Sequence, residues 1–154
     1  MKAVVQRVSQ AEVTVNGQVK GSIGIGLLVL LGIAQEDNRS DADWLVSKIL
    51  QCRIFADQSK KMNLSVLAVN GEVLLISQFT LLANVLQGNR PSYKDAASPE
   101  KALELYHYCM DRIKAELTTN LQTGEFGAMM EVSLKNDGPV TIVFDSKSKH
   151  KTHE

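Results

Sequence analysis

The stretch of sequence that decides the fold is Leu27-Leu28-Val29-Leu30-Leu31-Gly32-Ile33, which follows Gly24 and Gly26. A continuous apolar run of this length, bounded by glycines, favours a β-strand that is buried on both faces. A second strand-like segment, Glu72 to Leu82, contains the run Val73-Leu74-Leu75-Ile76. Strands buried on both faces need a layer on each side, so the sequence predicts an α/β protein.

Extended segments flank this central pair of strands. Ala3 to Val15 is rich in valine, and Asn16-Gly17 is a strong hairpin signal, so Gln18 to Ile23 is expected to return antiparallel. Near the other end, Met129 to Leu134 and Val140 to Phe144 are predicted to be two strands joined by the turn between them. Most of the strand pairing is therefore expected to be antiparallel.

Two further segments have apolar residues at helical spacing. We expect Ser40 to cap the first helix, and Ser98 to cap the second with Pro99 at its first position. The predicted fold is a layered α/β/β single domain, with a mixed, largely antiparallel sheet or barrel covered by the two helices. Residues 1–146 are expected to form this domain, and residues 147–154 a polar, frayed tail.

Composition excludes several classes of function. Lys plus Arg and Asp plus Glu both total 17 in 154 residues, so the chain is not a polycation that binds nucleic acid through bulk charge. Aromatic residues are 5% of the chain, too few for a broad base-stacking platform. The longest apolar run is too short to span a bilayer, and the N-terminus has no signal-peptide layout. We expect a cytoplasmic protein with no membrane partner.

The sequence gives no reason to expect a metal or a cofactor. His150 and His153 form the closest histidine pair, but they lie in the polar tail without a cysteine or acidic ligand at suitable spacing. Gly21, Gly24 and Gly26 do not form a phosphate-binding loop between a strand and a helix. Metal and nucleotide chemistry are therefore not predicted.

Packing alone explains two segments poorly. Ser77-Gln78-Phe79-Thr80 ends a buried strand: it is either a plain strand end or part of a cleft. In a cleft, the backbone donors of Gln78 and Phe79, with the neighbouring hydroxyls, can stabilise an oxyanion. No Gly-x-Ser-x-Gly pattern surrounds Ser77, so a nucleophile elbow is not supported.

The second segment is Asn136-Asp137-Gly138-Pro139-Val140-Thr141. It is either a hairpin turn or a specially shaped loop with a cis Gly138-Pro139 bond. Basic residues in the loops and the tail are either scattered solvated charges or a local surface that faces phosphate. They are Arg7, Arg53, Lys60, Lys61, Arg90, Lys94, Lys147, Lys149 and Lys151.

These two segments resemble the signature motifs of the D-aminoacyl-tRNA deacylase family, and the resemblance covers nearly the whole chain. The other matching pieces, in chain order, are Val5-Gln6-Arg7-Val8, Gly26 to Gly32, Arg53-Ile54-Phe55, Lys61 to Leu64, Arg90-Pro91-Ser92, Thr123-Gly124, Phe126-Gly127-Ala128 and Met130 to Leu134. Two positions depart from the family pattern. Met129 stands where an acidic residue is common, and Asn89 where a basic or bulkier residue is common.

The resemblance implies a homodimer that hydrolyses the ester between a D-amino acid and the 3′ end of tRNA, with the active sites at the subunit interface. Ser77, Gln78, Phe79 and Thr80 would line the pocket of one subunit. Gly138 and Pro139, joined by a cis bond, would enter that pocket from the other subunit and exclude L-amino acids by a steric clash. Phe126 and Met130 match the segment that holds the terminal adenosine. Arg7, in the matching opening segment, is expected to contact the substrate.

Neither motif contains a residue placed to act as a strong base, apart from Asp137 in the turn. An aminoacyl ester is already a reactive acyl donor, so positioning of water and stabilisation of the oxyanion can suffice. The resemblance suggests help from the 2′-hydroxyl of the tRNA; Thr80 as a covalent nucleophile is the alternative. Such a pocket would also admit glycine. The rival functions are a tRNA-end or protein-binding module without catalysis, and another acyl hydrolase.

Overall fold

A computed structural model describes residues 1–150 of the chain, and residues 151–154 lie outside the described part. The described strands are β1 (Lys2–Val15), β2 (Gln18–Ile23), β3 (Gly26–Gly32), β4 (Phe55–Ala56), β5 (Met62–Leu64), β6 (Glu72–Ser77), β7 (Leu121–Thr123) and β8 (Glu131–Asp145). The α-helices are α1 (Arg39–Gln51) and α2 (Pro99–Glu116), and the 3-10 helices are Phe79–Leu82 and Ser146–His150. The predicted fold class, a mixed and largely antiparallel sheet or barrel with two helices, is confirmed.

Strand β1 organises the sheet because it pairs with three other strands. β3 lies antiparallel to its first half, β2 lies antiparallel to its second half, and β8 runs antiparallel along its other edge. β6 then pairs parallel with β3, and β7 pairs parallel with β6. The hairpin predicted at Asn16-Gly17 is confirmed, since Val15 lies opposite Gln18.

Strand β3 is buried on both faces, as its sequence predicts. Leu27 and Val29 belong to a hydrophobic cluster shared with α1 and α2, whereas Leu28 belongs to a second cluster enclosed by the sheet itself. β6 alternates in the same way, with Leu75 in the first cluster and Leu74 in the second. Each of these strands therefore joins the helical layer to the interior of the barrel.

The sheet curls until its two ends approach each other. A Cβ atom at Gly21 in β2 would lie 2.8 Å from the carbonyl oxygen of Thr123 in β7, so only glycine fits where the two strands pass. The sheet is thus a nearly closed barrel, with both α-helices packed on one side of it. Neither described helix is long and apolar enough to cross a membrane.

The first helix begins two residues earlier than the sequence predicts, so Ser40 as its cap is wrong. Asn38 is the N-cap: its side-chain oxygen accepts hydrogen bonds from the N–H groups of Ser40 and Asp41. The Asp41 carboxylate accepts the N–H of Asn38 in return. This reciprocal arrangement pairs more first-turn donors than a lone serine can. The second helix begins as predicted, with Ser98 as its N-cap and Pro99 in its first turn.

The largest difference from the sequence prediction lies in the last strand. The prediction of two separate strands, Met129 to Leu134 and Val140 to Phe144, is wrong, because both segments pair antiparallel with β1 within one strand. Of the two alternatives for the residues between them, the hairpin turn is wrong and the loop with a cis Gly138-Pro139 bond is confirmed. A hairpin would have reversed the chain direction between the two segments. Instead the chain continues in one direction past Asp137-Gly138-Pro139, and this sequence interrupts the ladder without turning it.

The interruption is a bulge, which we call the β8 bulge (residues 137–140). The residues of β1 on either side of Arg7 lie opposite Asn136 and Thr141. Residues 137–140 therefore face Arg7 alone and leave the hydrogen-bond ladder. Proline suits such a position because it has no N–H to donate to the ladder.

Two other segments also differ from the prediction. The strand predicted over Glu72 to Leu82 ends at Ser77, and the chain then winds into the 3-10 helix Phe79–Leu82. Residues 147–149 are not frayed: they belong to a 3-10 helix, and the Lys149 ammonium lies 2.8 Å from Asp41 Oδ1. Residues 151–154 of the predicted tail lie outside the described residues, and the domain boundary at residue 146 stays a prediction.

Candidate functional site

A cleft of about 570 Å³ opens at the edge of the sheet where three parallel strands end. β3, β6 and β7 run parallel to one another, so their carboxyl ends meet there, and such an edge is where ligands bind in parallel α/β sheets. The start of α2 and the segment 126–130 close the other sides. The lining residues are Leu31, Ile33, Ile76, Ser77, Gln78, Phe79, Thr80, Ala97, Pro99, Ala102, Phe126, Gly127, Ala128, Met129, Met130 and Val132.

The strand end at Ser77 supplies fewer backbone donors than the sequence suggests. The N–H of Gln78 donates to the carbonyl oxygen of Leu31 at 2.7 Å, so it continues the sheet and is not free to bind an oxyanion. The expectation of a free Gln78 backbone donor is therefore wrong. The N–H of Phe79 has no acceptor among the described residues, because a 3-10 helix leaves its first N–H groups unpaired.

The side chains of Gln78 and Thr80 are bonded to each other. Gln78 Nε2 donates to Thr80 Oγ1 at 2.5 Å, which fixes both side chains at the mouth of the cleft. Because the hydroxyl oxygen of Thr80 already accepts this bond, one of its lone pairs is engaged and its own proton remains free to donate. The arrangement suits Thr80 as a hydrogen-bond donor better than as a nucleophile.

Aromatic side chains hold two walls of the cleft in place. Phe79 is exposed at the rim, and its ring packs edge-to-face on Tyr93 with the centroids 5.1 Å apart. Phe126 packs against the ring of Tyr106 at 5.6 Å, and the Tyr106 hydroxyl donates to the carbonyl oxygen of Leu75 at 2.9 Å. Burial raises the pKa of Tyr106 to about 12, so this phenol stays protonated and keeps its donor.

None of the residues that line the cleft carries an ionisable side chain. The cleft therefore offers backbone N–H groups, two hydroxyls and one amide, but no carboxylate, imidazole, thiol or ammonium. Among the described residues, no group of three or more His, Cys, Asp or Glu could hold a metal ion. His153 lies outside those residues. The cleft can thus stabilise a developing oxyanion by hydrogen bonds, whereas a strong base must come from elsewhere.

Gly138 and Pro139 lie on the exposed β8 bulge and do not line this cleft. The bulge is three strand positions away from β6, across β1 and β3. The peptide bond between the two residues is cis, and Gly138 has a φ of 133°, which a residue with a side chain rarely adopts. The Asn136 side chain supports the bulge by accepting the N–H of Val140 at 2.9 Å.

Arg7 is bonded to its own chain beneath the bulge. Its Nε donates to the carbonyl oxygen of Asp137 at 3.0 Å, and its Nη1 donates to the carbonyl oxygen of Ile54 at 2.6 Å. The guanidinium is mostly buried, with 13% of the side chain exposed. The structure therefore places Arg7 where it can position the β8 bulge, away from the cleft.

The cleft thus brings together six of the predicted site residues and leaves Arg7, Gly138 and Pro139 at the bulge. The six are Ser77, Gln78, Phe79, Thr80, Phe126 and Met130. Several basic candidates are engaged within the chain: Arg53 donates to Asn63, and Lys147 and Lys149 pair with Glu36 and Asp41. Lys151 lies outside the described residues.

Sequence patterns do not reveal the whole of the cleft. Ala97, Pro99 and Ala102 line it because α2 begins beside the end of β3, where the N–H of Ala97 donates to the carbonyl oxygen of Ile33 at 2.9 Å. The helical spacing assigns Tyr106 only to an apolar stripe. The sequence signal that could have found this edge is the pair of continuous apolar runs in β3 and β6, since such runs are typical of parallel strands, whose carboxyl ends lie on one edge of the sheet.

Comparison with known proteins gives one consistent match in sequence. A family model described as D-Tyr-tRNA(Tyr) deacylase matches residues 4–145. A D-aminoacyl-tRNA deacylase of Thermosipho melanesiensis is 56% identical over 147 residues, which is 96% of this chain and 98% of that relative. The protein of the same name from Bacteroides thetaiotaomicron is 54% identical over 150 residues, covering 97% and 99%.

Two solved structures share the fold. One is that of a protein called "c-Myc DNA Unwinding Element Binding Protein": it is 43% identical, has a TM-score of 0.90, and is matched over 98% of its length and 94% of this chain. The other is a probable eukaryotic D-amino acid tRNA deacylase, 15% identical with a TM-score of 0.81 over 93% of this chain and 97% of that one. At that identity the second structure supports the fold alone.

Proposed function

Since this chain belongs to the D-Tyr-tRNA(Tyr) deacylase family, we propose that it hydrolyses the ester bond between a D-amino acid and the 3′ end of tRNA. The observation that carries the proposal is the cleft itself, in which the strand end Ser77–Thr80 meets the segment that contains Phe126 and Met130. The products are the free D-amino acid and tRNA. We expect the protein to act in the cytoplasm, where aminoacyl-tRNA is made and used.

The chemistry proceeds without a protein base in the cleft. Water attacks the ester carbonyl, and the oxyanion that forms accepts hydrogen bonds from the free N–H of Phe79 and from the hydroxyl of Thr80. The water gives its proton to the neighbouring 2′-hydroxyl oxygen while that hydroxyl passes its own proton to the 3′-oxygen, or solvent carries the proton between them; the C–O bond of the ester then breaks and leaves a free 3′-hydroxyl. The uncharged lining supports a mechanism in which the protein supplies hydrogen-bond donors and no base, because no side chain there can accept a proton near neutral pH.

Chiral selection requires a second copy of the chain. In the proposed homodimer, Gly138 and Pro139 of the partner subunit enter the cleft and form a wall beside the α-carbon of the aminoacyl group. An L side chain would clash with this wall, whereas a D side chain points away from it, and glycine has nothing to clash. The exposed, hydrogen-bonded β8 bulge, which does not line the cleft of its own chain, supports this assignment.

The test is a comparison of enantiomers on one tRNA. D-Tyr-tRNA should be deacylated at least about a hundredfold faster than L-Tyr-tRNA at equal enzyme concentration, since a steric clash with a rigid wall gives strong discrimination. Activity should persist in EDTA. Equal rates on the two enantiomers would reject the proposed selection, and no hydrolysis of either would reject the enzyme.

A second candidate function is nucleic-acid binding without catalysis, which the name of the 43% identical protein favours. The net charge of zero argues against strong binding through bulk charge. The same preparation distinguishes the two: a binding module would retain uncharged tRNA or single-stranded DNA on a filter while leaving D-Tyr-tRNA intact. Turnover of D-Tyr-tRNA at catalytic amounts of protein would favour the deacylase.

A further inference from the structure

Gly124 lies between β7 and the cleft, and its backbone conformation does not require a glycine. Its φ is outside the positive range in which glycine is favoured, unlike that of Gly127 in the same segment. What requires a glycine at position 124 is space. A Cβ atom there would lie 2.5 Å from Sδ of Met130, 3.3 Å from Cδ1 of Ile76 and 3.4 Å from Cγ2 of Val13.

The sulfur of Met130 therefore occupies a notch, formed by the missing side chain of Gly124 and floored by Ile76 and Val13. Ile76 and Val13 are buried in the cluster that the sheet encloses, and Met130 packs against that cluster as well as lining the cleft. The thioether is the mobile member of this group, since methionine is unbranched and adapts to gaps, whereas the other two side chains are fixed by strands.

We propose that Gly124 is a specificity-determining residue: by lacking a side chain it holds the Met130 thioether out of the cleft, and so keeps room for the terminal purine nucleoside of the tRNA. This inference rests on the proposed function for the identity of the ligand. A residue with a Cβ would expel the sulfur from the notch. Because the buried side chains of Ile76 and Val13 block movement deeper into the barrel, the sulfur would move toward the cleft that Met130 lines and narrow it.

Gly124→Ala should weaken substrate binding only while Met130 is present. For hydrolysis of the D-tyrosyl ester of adenosine, Gly124→Ala should raise KM by about tenfold, because an obstruction the size of a methylene group weakens binding in a pocket by at least about that factor. The value of kcat should change by less than about twofold, because the donors at Phe79 and Thr80 are untouched. The D-tyrosyl ester of cytidine, whose base is smaller, should show a smaller rise in KM.

The decisive variant combines Gly124→Ala with Met130→Ala. Met130→Ala alone removes the sulfur and some contact with the ligand; in that background Gly124→Ala should cause no further rise in KM, because nothing remains to be expelled. An equal rise in both backgrounds would overturn the proposal. So would an unfolded Gly124→Ala protein beside a folded double variant, since the sulfur would then be unable to leave the notch.

Gly24→Ala is the matched control. It makes the same change at a glycine with ordinary φ, where the new Cβ would meet only Glu72 Oε1 at 3.5 Å, and it lies outside the cleft. Its kinetic constants should equal those of the wild type. A rise in KM for this variant as large as that for Gly124→Ala would contradict the proposal.

A crystal structure of Gly124→Ala tests the predicted movement of the Met130 sulfur without any measurement of activity. The Met130 sulfur should lie in the cleft, and the cleft should be smaller than the 570 Å³ of the parent. An unmoved sulfur with a displaced backbone at residue 124 would overturn the inference even if the enzyme is active. Failure of the wild type to hydrolyse either ester or D-Tyr-tRNA would instead reject the proposed function. The crystal structure would still show whether Gly124→Ala moves the Met130 sulfur out of the notch.

Discussion

The cleft at the end of β6 and the bulge in β8 are opposite kinds of structure. The cleft is concave, lined by uncharged side chains, and open to a ligand. The bulge is convex and exposed, and the Arg7 guanidinium and the Asn136 amide hold its backbone in place. The cleft has hydrogen-bond donors, and in the proposed homodimer the bulge of the partner subunit supplies the wall against the wrong enantiomer. Their difference suggests that each completes the other across a dimer.

The same comparison separates two ways of disabling the protein. Changes in the cleft should affect the reaction of both enantiomers alike, because they alter the donors or the room for the ligand. Changes in the bulge should lower activity on D-Tyr-tRNA and also alter the ratio between enantiomers, because the proposed wall both completes the cleft and excludes the L side chain. The expected effects decrease from the bulge to the supports of the cleft.

Gly138→Ala should have the largest effect. A Cβ there would lie 2.9 Å from Cγ2 of Val140 and 3.0 Å from Nη2 of Arg7, at a φ of 133°. The backbone of the bulge must shift to make room for this Cβ. We expect kcat/KM for D-Tyr-tRNA to fall about a hundredfold, because a displacement of about 1 Å in an active site can lower the rate by that factor. Gly17→Ala is the control, because Gly17 has a φ of 76° with nothing within 4 Å of the new Cβ. Activity of Gly138→Ala equal to that of the control would contradict the account.

Arg7→Met should have the next largest effect, of about thirtyfold in kcat/KM for D-Tyr-tRNA. The methionine keeps the apolar part of the side chain but loses the bonds to the carbonyl oxygens of Asp137 and Ile54, so the bulge loosens. Discrimination against L-Tyr-tRNA should weaken at the same time. Arg7→Lys, which can keep one of the bonds, should lie between this variant and the wild type. If Arg7 contacted the substrate instead, discrimination between enantiomers would be unchanged.

Thr80→Ala should slow hydrolysis of both enantiomers by only about fivefold, because it removes one of the two proposed donors to the oxyanion, a hydrogen bond worth about 1 kcal/mol, and leaves the N–H of Phe79 in place. Its hydroxyl oxygen is already engaged by Gln78 Nε2, which disfavours attack on the ester. Mass spectrometry of the wild type during turnover should show no acyl-enzyme. A covalent adduct on Thr80, together with complete loss of activity in Thr80→Ala, would restore the nucleophilic mechanism.

Tyr106→Phe should have the smallest effect on activity, about twofold, with a measurable loss of stability. The buried carbonyl oxygen of Leu75 loses its donor, which costs about 2 kcal/mol and lowers Tm by roughly 4–8 °C. The ring that supports Phe126 remains. Tyr106→Leu removes that ring as well and should lower activity further, so thermal unfolding and kinetics together separate the two contributions. An unchanged Tm in Tyr106→Phe would show that the bond does not stabilise the fold.

The sequence was most informative where local chemistry decides the structure. The glycine-bounded run of β3, the Asn16-Gly17 hairpin and the Ser98-Pro99 helix start all depend on residues within a few positions of one another. The motif Ser77–Thr80 could also be placed at a strand end, because its polar residues follow a buried run directly.

Apart from the cap of α1, which is Asn38 and not Ser40, the errors occurred where a residue distant in sequence decides the structure. The sequence around Gly138-Pro139 has every local feature of a turn, yet both flanking segments pair with β1, which lies more than a hundred residues away. The backbone donor of Gln78 is consumed by Leu31, and the notch at Gly124 depends on Met130, Ile76 and Val13. No local pattern reveals which carbonyl or thioether will lie against a given residue in the folded chain.

Subunit mixing shows whether the bulge of one copy completes the cleft of another. One variant carries Ser77→Phe, which fills the cleft, and a second carries Gly138→Ala with Pro139→Ala, which alters the wall. Each homodimer should be inactive on D-Tyr-tRNA, because both of its sites lack one half. After equal amounts are mixed and exchange is verified by mass, about half the dimers are mixed, and one site in each of these combines the two intact halves. About a quarter of all sites should then become active; no recovery of activity in a preparation with verified heterodimers would rule out a site shared between two subunits.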